Sequence, residues 1–304
     1  MKTALIIGAT GNFGFQMALT LLNRGWQLKI LIRDKDKCPG ALAAADIIEG
    51  SANDSEAVLN AAHGCALIVY AANPKYHRWQ QEALAMLEPT IAAAKVSGAR
   101  ILLPGNVYNY SPQPQWVNEL TQQLPYSKKG EIRVEMEQRL KQASQHGVKT
   151  TIIRAGDFIG PNTHFTWLNM ALRTKGKQSK LSMPHDQTHK HFWSYLPDLC
   201  TNAAQLVESS EATFELWHDV GLQLTTQEWV TALQQNGQTV KQSKFPWLAL
   251  TFASLFSPML KEVIKMRYLW QEPLVLNGEK MKEKLGSKQE ETQIADIVKA
   301  ILVK

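Results

Sequence analysis

Cysteine is scarce in this chain of 304 residues: Cys38, Cys65 and Cys200 are an odd three, widely spaced, with no Cys-x-x-Cys pair. That excludes a disulfide framework and a thiolate zinc site, and it points to a reducing compartment, so a cytoplasmic protein is expected. Runs of basic residues are missing too. Lys128-Lys129 is a pair, which excludes a nucleic-acid patch, although 33 Lys and Arg against 27 Asp and Glu leave a net charge of +6 that suits a small anionic ligand. Long apolar runs are absent as well. Ala4–Ile7 stops at Gly8, well short of the roughly seven apolar residues of a secretion signal, and reads as a first strand. Phe245 to Leu260 carries no charge for 16 positions, bracketed by Pro246 and Pro258. It falls below the ~20 residues needed to cross a bilayer, so no stable membrane insertion is expected. The stretch reads as a buried helix of a smaller lobe, with docking at a membrane surface as the alternative. There is no internal repeat, no nucleophile elbow and no recognisable Ser/His/Asp or Cys/His set. His185, His189 and His191 with Asp186 have the residue types of a metal site, but they follow Pro184 in a loop-like segment without a matching carboxylate constellation, so no metal is expected.

What is present is an alternation of apolar runs and helical patterns over the first 160 residues. Strands are predicted at Ala4–Ile7, Leu28–Ile32, Asp46–Ile48, Leu67–Tyr70, Ile101–Leu103 and Thr151–Ile153; helices at Phe15–Arg24, Ser55–Ala62, Trp79–Ser97 and Ile132–His146. The strands are continuously apolar rather than alternating, which argues for a parallel sheet covered on both faces, an α/β doubly wound (Rossmann) architecture. After Gly160-Pro161 the texture becomes polar and turn-rich, with tryptophans that suit an apolar pocket or core packing. The expected organisation is a dinucleotide-binding domain over 1–160, with core strands allowed to return after 185, and a smaller, mostly helical lobe over 161–304.

Gly8-Ala9-Thr10-Gly11-Asn12-Phe13-Gly14 follows the first strand and opens a helix. The first glycine turns the chain off the strand, the second lets a pyrophosphate approach the backbone, and the third allows close helix–strand packing. The helix N-terminus supplies free N–H groups and positive dipole. At the end of the second strand stands Arg33, followed by Asp34. An arginine there accommodates a 2′-phosphate and favours NADP; the neighbouring acid keeps NAD possible.

These residues resemble the extended, atypical branch of the short-chain dehydrogenase/reductase superfamily, the NAD(P)-dependent epimerase/dehydratase-like proteins. Thr10–Gly14 is similar to the TGxxG signature of that branch, and Tyr70-Ala71-Ala72-Asn73-Pro74 to the strand-four end that lines the cofactor. Leu103–Tyr108 resembles the Ser-Ser-x-x-Val-Tyr-Gly segment, Arg154–Pro161 the Arg-Pro-x-x-x-x-Gly-Pro element, and Phe192–Leu199 the later aromatic–Val–x–Asp segment. The correspondence runs in order from residue 1 to about 210. It implies that Gly8, Thr10, Gly11, Asn12, Phe13, Gly14, Ser51, Ala52, Ala71, Ala72, Asn73, Ala155 and Phe158 face a nicotinamide cofactor. Ser51 and Ala52 stand where relatives carry an adenine-binding Asp.

The departures concern the chemistry. In the superfamily a Tyr and a Lys four residues later carry it: the Lys binds the nicotinamide ribose and lowers the Tyr pKa. Here Tyr126 precedes Lys128 by two and Lys129 by three, with Pro125 and Gly130 around them, and the strand-five Ser is Pro104. Residues i and i+3 share a helix face, so the resemblance implies Tyr126 as proton donor and Lys129 as ribose ligand. Asn106 is the candidate donor toward a substrate carbonyl, and Tyr108 or Tyr110 can substitute for a displaced phenol. Of Trp193 and Tyr195, one is expected toward the core and one toward the cleft, with Trp193 as a substrate-side residue. The expected function is an NADP-preferring oxidoreductase acting on a small carbonyl or secondary alcohol. The alternatives are a sugar-nucleotide epimerase or dehydratase, for which Arg173, Lys175 and Lys177 are the set for a second diphosphate, and a non-catalytic dinucleotide sensor. The resemblance also implies a homodimer through Trp79–Ser97 and Lys129–Gln145.

Overall fold

Strands that are apolar on both faces need cover on both, and the central sheet has it. The computed structural model describes residues 2–111, 116–185, 189–271 and 274–303. Seven strands, β1 (Thr3–Ile7), β2 (Gln27–Ile32), β3 (Asp46–Glu49), β4 (Leu67–Tyr70), β5 (Arg100–Asn106), β6 (Thr150–Ala155) and β7 (Phe214–His218), form one sheet in the order β7-β6-β5-β4-β1-β2-β3. Every pairing in it is parallel. Along β1, Ala4 and Ile6 enter one core layer with Met17 and Leu21 of α1 (Asn12–Asn23). Leu5 and Ile7 enter the other with α2 (Ser55–Ala62), α3 (Trp79–Ser97) and α4 (Lys128–Gln145). This is the doubly wound fold that the alternating runs predict.

Local chemistry sets the helix ends. The Asp54 carboxylate accepts from the Glu56 and Ala57 amides, both at 3.1 Å, and opens α2. Gly98, at φ +73°, closes α3 in the left-handed region just before β5. α4 starts four residues earlier than its apolar periodicity suggests, because Ser127 Oγ caps the Gly130 amide at 3.2 Å and carries a charged first turn into the helix.

The chain returns to this unit late: α5 (Leu196–Glu208) packs beside α1, and β7 extends the sheet next to β6. Elsewhere beyond residue 156, helices alternate with short strands. Asp157–Ile159, His191–Tyr195 and Leu222–Leu224 form one small sheet; Leu172–Lys175, Gln178–Leu181 and Thr239–Gln242 form another. Between them lies an aromatic core that includes Trp167, Trp193, Trp229 and Trp270. One expectation is overturned here. Phe245–Leu260 is not a buried helix: it forms α6 (Trp247–Ser254), which contains no buried residue, and runs into α7 (Pro258–Lys265). Phe245, just before α6, is buried in the core, and Trp247 and Leu250 of α6 pack against it half-buried.

Candidate active site

In open parallel sheets the binding crevice lies beyond the carboxyl ends of the strands where strand order reverses. Here the reversal falls between β1 and β4, and a cavity of about 720 Å³ opens there. Its first wall is the glycine loop. Gly8 sits at φ +97°, and a Cβ on it would come within 2.7 Å of the Ala71 and Ala72 backbone. A Cβ on Gly14 would run into the Gly8 carbonyl oxygen. Gly8 and Gly14 therefore admit no side chain, the cradle that a diphosphate between backbone amides and a helix N-terminus requires. Asn12 contributes its backbone only, for its side chain exchanges two 2.9 Å hydrogen bonds with His164 and ties the 160–166 loop to the glycine loop. Phe13 stacks on Phe158 with ring centroids 6.2 Å apart.

Of the residues expected to face a cofactor, all line the cavity except Gly14, which packs behind the loop, and Lys129. Ser51 Oγ is engaged by the Asn53 amide at 3.3 Å. At the end of β2, Arg33 is exposed on the cavity wall, while Asp34 is turned away: its carboxylate accepts from the Asp36 amide and pairs with Lys37 at 2.7 Å. That Lys37 pairing holds the Asp34 carboxyl below the usual range. The charged lining as a whole is Arg33, Lys75, Arg78, Arg133 and Lys190 against Glu82 and Asp157, a surplus that favours an anion.

The other end of the cavity differs from the expectation. Tyr126 lies outside it: the ring is 67% exposed, precedes the helix and packs on Tyr268 at 4.7 Å. No lysine can stand four residues after it, because α4 meets the Tyr108 carbonyl so closely that position 130 accepts only glycine. Lys129 is buried, its ammonium paired with Glu262 and set over the Tyr76 ring at 4.3 Å. One helical turn on, Arg133 takes the cavity-facing position. Its guanidinium donates to Asn73 Oδ1 at 3.1 Å and to the Pro104 carbonyl at 3.3 Å, and lies over Trp79 at 4.7 Å. Arg133 follows Lys129 by one turn of α4, so the two project from the same side of the helix.

Asn106 and Tyr108 do line the cavity. Asn106 Oδ1 accepts from the Tyr108 amide at 3.0 Å, and the Tyr108 and Tyr76 hydroxyls lie 3.3 Å apart. Burial pushes both phenols well above their ordinary pKa. Beyond them His191 Nε2 meets Asp157 Oδ2 at 2.6 Å, with the imidazole stacked on Trp270 at 3.6 Å.

Two further expectations are corrected. Tyr110 is not at the cavity but in a buried network beneath it, bonded to Arg154, to His218 Nε2 at 3.2 Å and to the Asn118 carbonyl at 3.2 Å. Burial raises its pKa to about 12, and burial with the adjoining Arg154 lowers that of His218 to about 3. Arg154, fully buried against Glu137, locks β6 to α4. Trp193 is likewise fully buried, edge-on to Trp229 at 5.5 Å, because its side of the strand faces the lobe core. Of the histidine cluster, Asp186 lies outside the described residues; among those described, no group of three or more metal-ligating side chains converges. Arg173, Lys175 and Lys177 sit on an exposed hairpin away from the cavity lining.

The model of a family described as NAD(P)H-binding matches residues 8–180, more than half of the chain. The chain belongs to the NAD(P)H-binding family. The matched segment of this NAD(P)H-binding protein spans the glycine loop, Arg33 and Arg133 alike. Solved structures with the same fold include UDP-glucose 4-epimerase of Thermus thermophilus with NAD, at 17% identity and TM-score 0.71 over 98% of both chains. UDP-N-acetylglucosamine 4-epimerase of Bacillus cereus superposes at 15% identity and TM-score 0.74, covering 99% of this chain and 95% of that one. The dTDP-glucose 4,6-dehydratase DesIV of Streptomyces venezuelae does so at 16% and 0.70, covering 98% and 96%. No curated protein sequence matches.

Proposed function

We propose that this protein is an NADP-preferring oxidoreductase acting on a small carbonyl or secondary alcohol. The preference rests on one observation: at the end of β2 the side chain on the cavity wall is Arg33, and the acid beside it is turned back on its own loop. A guanidinium binds a phosphate through paired charge-assisted hydrogen bonds, and no carboxylate stands ready for a ribose 2′-hydroxyl. The glycine loop holds the diphosphate, Ala71, Ala72 and Asn73 the adjoining wall, and Arg133 takes over the contact that Lys129 gives to Glu262. A bound nicotinamide dinucleotide supplies the hydride.

Tyr108 replaces Tyr126 as the phenol of the site. Burial keeps its proton on, so it donates a hydrogen bond to a carbonyl oxygen and, backed by the Tyr76 hydroxyl, gives that oxygen its proton. The Arg133 guanidinium opposes the rise in the Tyr108 pKa that burial causes.

The test is a titration with NADPH and NADH followed by a panel of aldehydes and ketones. NADPH is expected to bind about tenfold more tightly, a difference that Arg33→Ala removes, and Tyr108→Phe is expected to lower kcat more than it raises KM. Equal affinity for the two coenzymes overturns the preference. NADPH binding without turnover of any carbonyl returns the reading to a dinucleotide sensor. A sugar-nucleotide epimerase or dehydratase is the second reading, favoured by Lys75 and Lys190 on the cavity wall, cations for a second diphosphate beside Arg78, which is paired with Glu82. Stabilisation by a UDP-sugar, together with NAD that copurifies and does not exchange, selects it.

A further inference from the structure

The segment that failed to be a core helix is a second feature of this protein, independent of its redox chemistry. On α6 and the turn after it, Leu248, Phe252, Leu255 and Phe256 fall at positions i, i+4, i+7 and i+8, one face of a helix. All are exposed, Leu248 by 89% and Phe256 by 78%, and Met259 at the start of α7 continues the patch. A contiguous surface of this kind marks a partner. The surrounding charge identifies it. Residues 241–267 hold Lys241, Lys244, Lys261, Lys265 and Arg267 against a single acid, Glu262, which is already engaged by Lys129 and Lys265. Arg267 lies over the Trp247 ring at 4.9 Å, which seats a cation at the base of the apolar face.

We propose that α6 and α7 dock this protein on an anionic lipid bilayer, the apolar face entering the headgroup–acyl boundary and the flanking cations meeting lipid phosphates. Neither helix crosses: among the described residues none is long and apolar enough to do so. A second copy of the chain is a poorer occupant, because two-fold pairing sets these cations against each other. Met259 also lines the cavity, as does Val263 one turn on, so docking brings the cavity mouth to the lipid surface.

Cosedimentation of the full chain with vesicles tests this, using phosphatidylcholine alone and an equal mixture with phosphatidylglycerol. The protein is expected to pellet with the mixed vesicles at low salt, about tenfold less with phosphatidylcholine alone, and to be released by added salt. Phe252→Asp with Phe256→Asp is expected to abolish binding while the melting temperature and NADPH affinity hold. Lys244→Glu with Lys261→Glu is expected to do the same through charge alone. Protein that stays in the supernatant with anionic vesicles overturns the proposal, as does undiminished binding of the Asp variant. So does a dimer in light scattering that the Asp substitutions dissociate without any vesicle binding.

Discussion

The two ends of the cavity are built by different means. The glycine-loop end is made of backbone contributed mostly by neighbouring residues: Gly8 to Phe13 and the turn that follows β4. At the other end, side chains arrive from five separate stretches: Tyr76, Asn106 with Tyr108, Arg133, Asp157, and His191. The first end follows the spacing of its glycines; the second keeps neither the expected phenol nor the expected lysine. Backbone geometry tolerates no substitution where a Cβ would collide, whereas a side chain's task can pass to any residue that reaches the same space.

The comparison breaks most visibly at Gly14. Gly14→Val must push α1 off the Gly8 carbonyl, and overpacking of this order costs about 1–3 kcal/mol or more. Loss of measurable NADPH binding by calorimetry is expected together with a lower melting temperature. Normal binding by that variant means the loop is not the grip.

A smaller effect belongs to the buried network beneath the far end of the cavity. His218 is kept neutral with a pKa of about 3, below its ordinary 6.5, so between those values the unfolded chain takes up a proton that the folded chain refuses. Stability is therefore expected to fall as pH drops through that window, by at most about 1.4 kcal/mol per pH unit, and His218→Gln flattens the slope in urea unfolding. Asp219 has the opposite sign. Burial raises it to about 6, so the folded chain keeps a proton that the unfolded chain releases, and stability falls as pH rises from the ordinary 3.8 to about 6. Asp219→Asn removes that opposing slope, leaving a steeper acid loss. Coincident slopes in both variants contradict these signs.

The smallest effect is the sharpest test of the reassignment. Tyr126→Phe is expected to leave NADPH-dependent turnover within about twofold, as for an exposed residue away from the site. A large loss of kcat there restores Tyr126 and removes Tyr108 from the role proposed above.

Much of the architecture was legible in advance. Continuous apolar runs require a sheet covered on both faces, and six of its seven strands coincide with such runs; in β7, Glu215 and His218 interrupt the run. The loop residues were legible because their constraint is local. Tyr126 and Lys129 were misplaced for a physical reason. Counting along a helix does not reveal that Ser127 caps it, that Gly130 is pressed on Tyr108, or that a Glu 133 positions away claims the lysine. The apolar stretch at 245–260 is covered on one side only, and composition alone does not say which apolar segments find cover.

By itself, then, the sequence determined the parallel sheet, the glycine turn after β1, and the arginine at the end of β2, since each depends on residues within one turn or strand of one another. Only the tertiary structure decided which polar groups meet at the far end of the cavity and which helix leaves an apolar face uncovered. Those outcomes depend on distant segments competing for the same space and the same charge, and no interval along the chain encodes who wins.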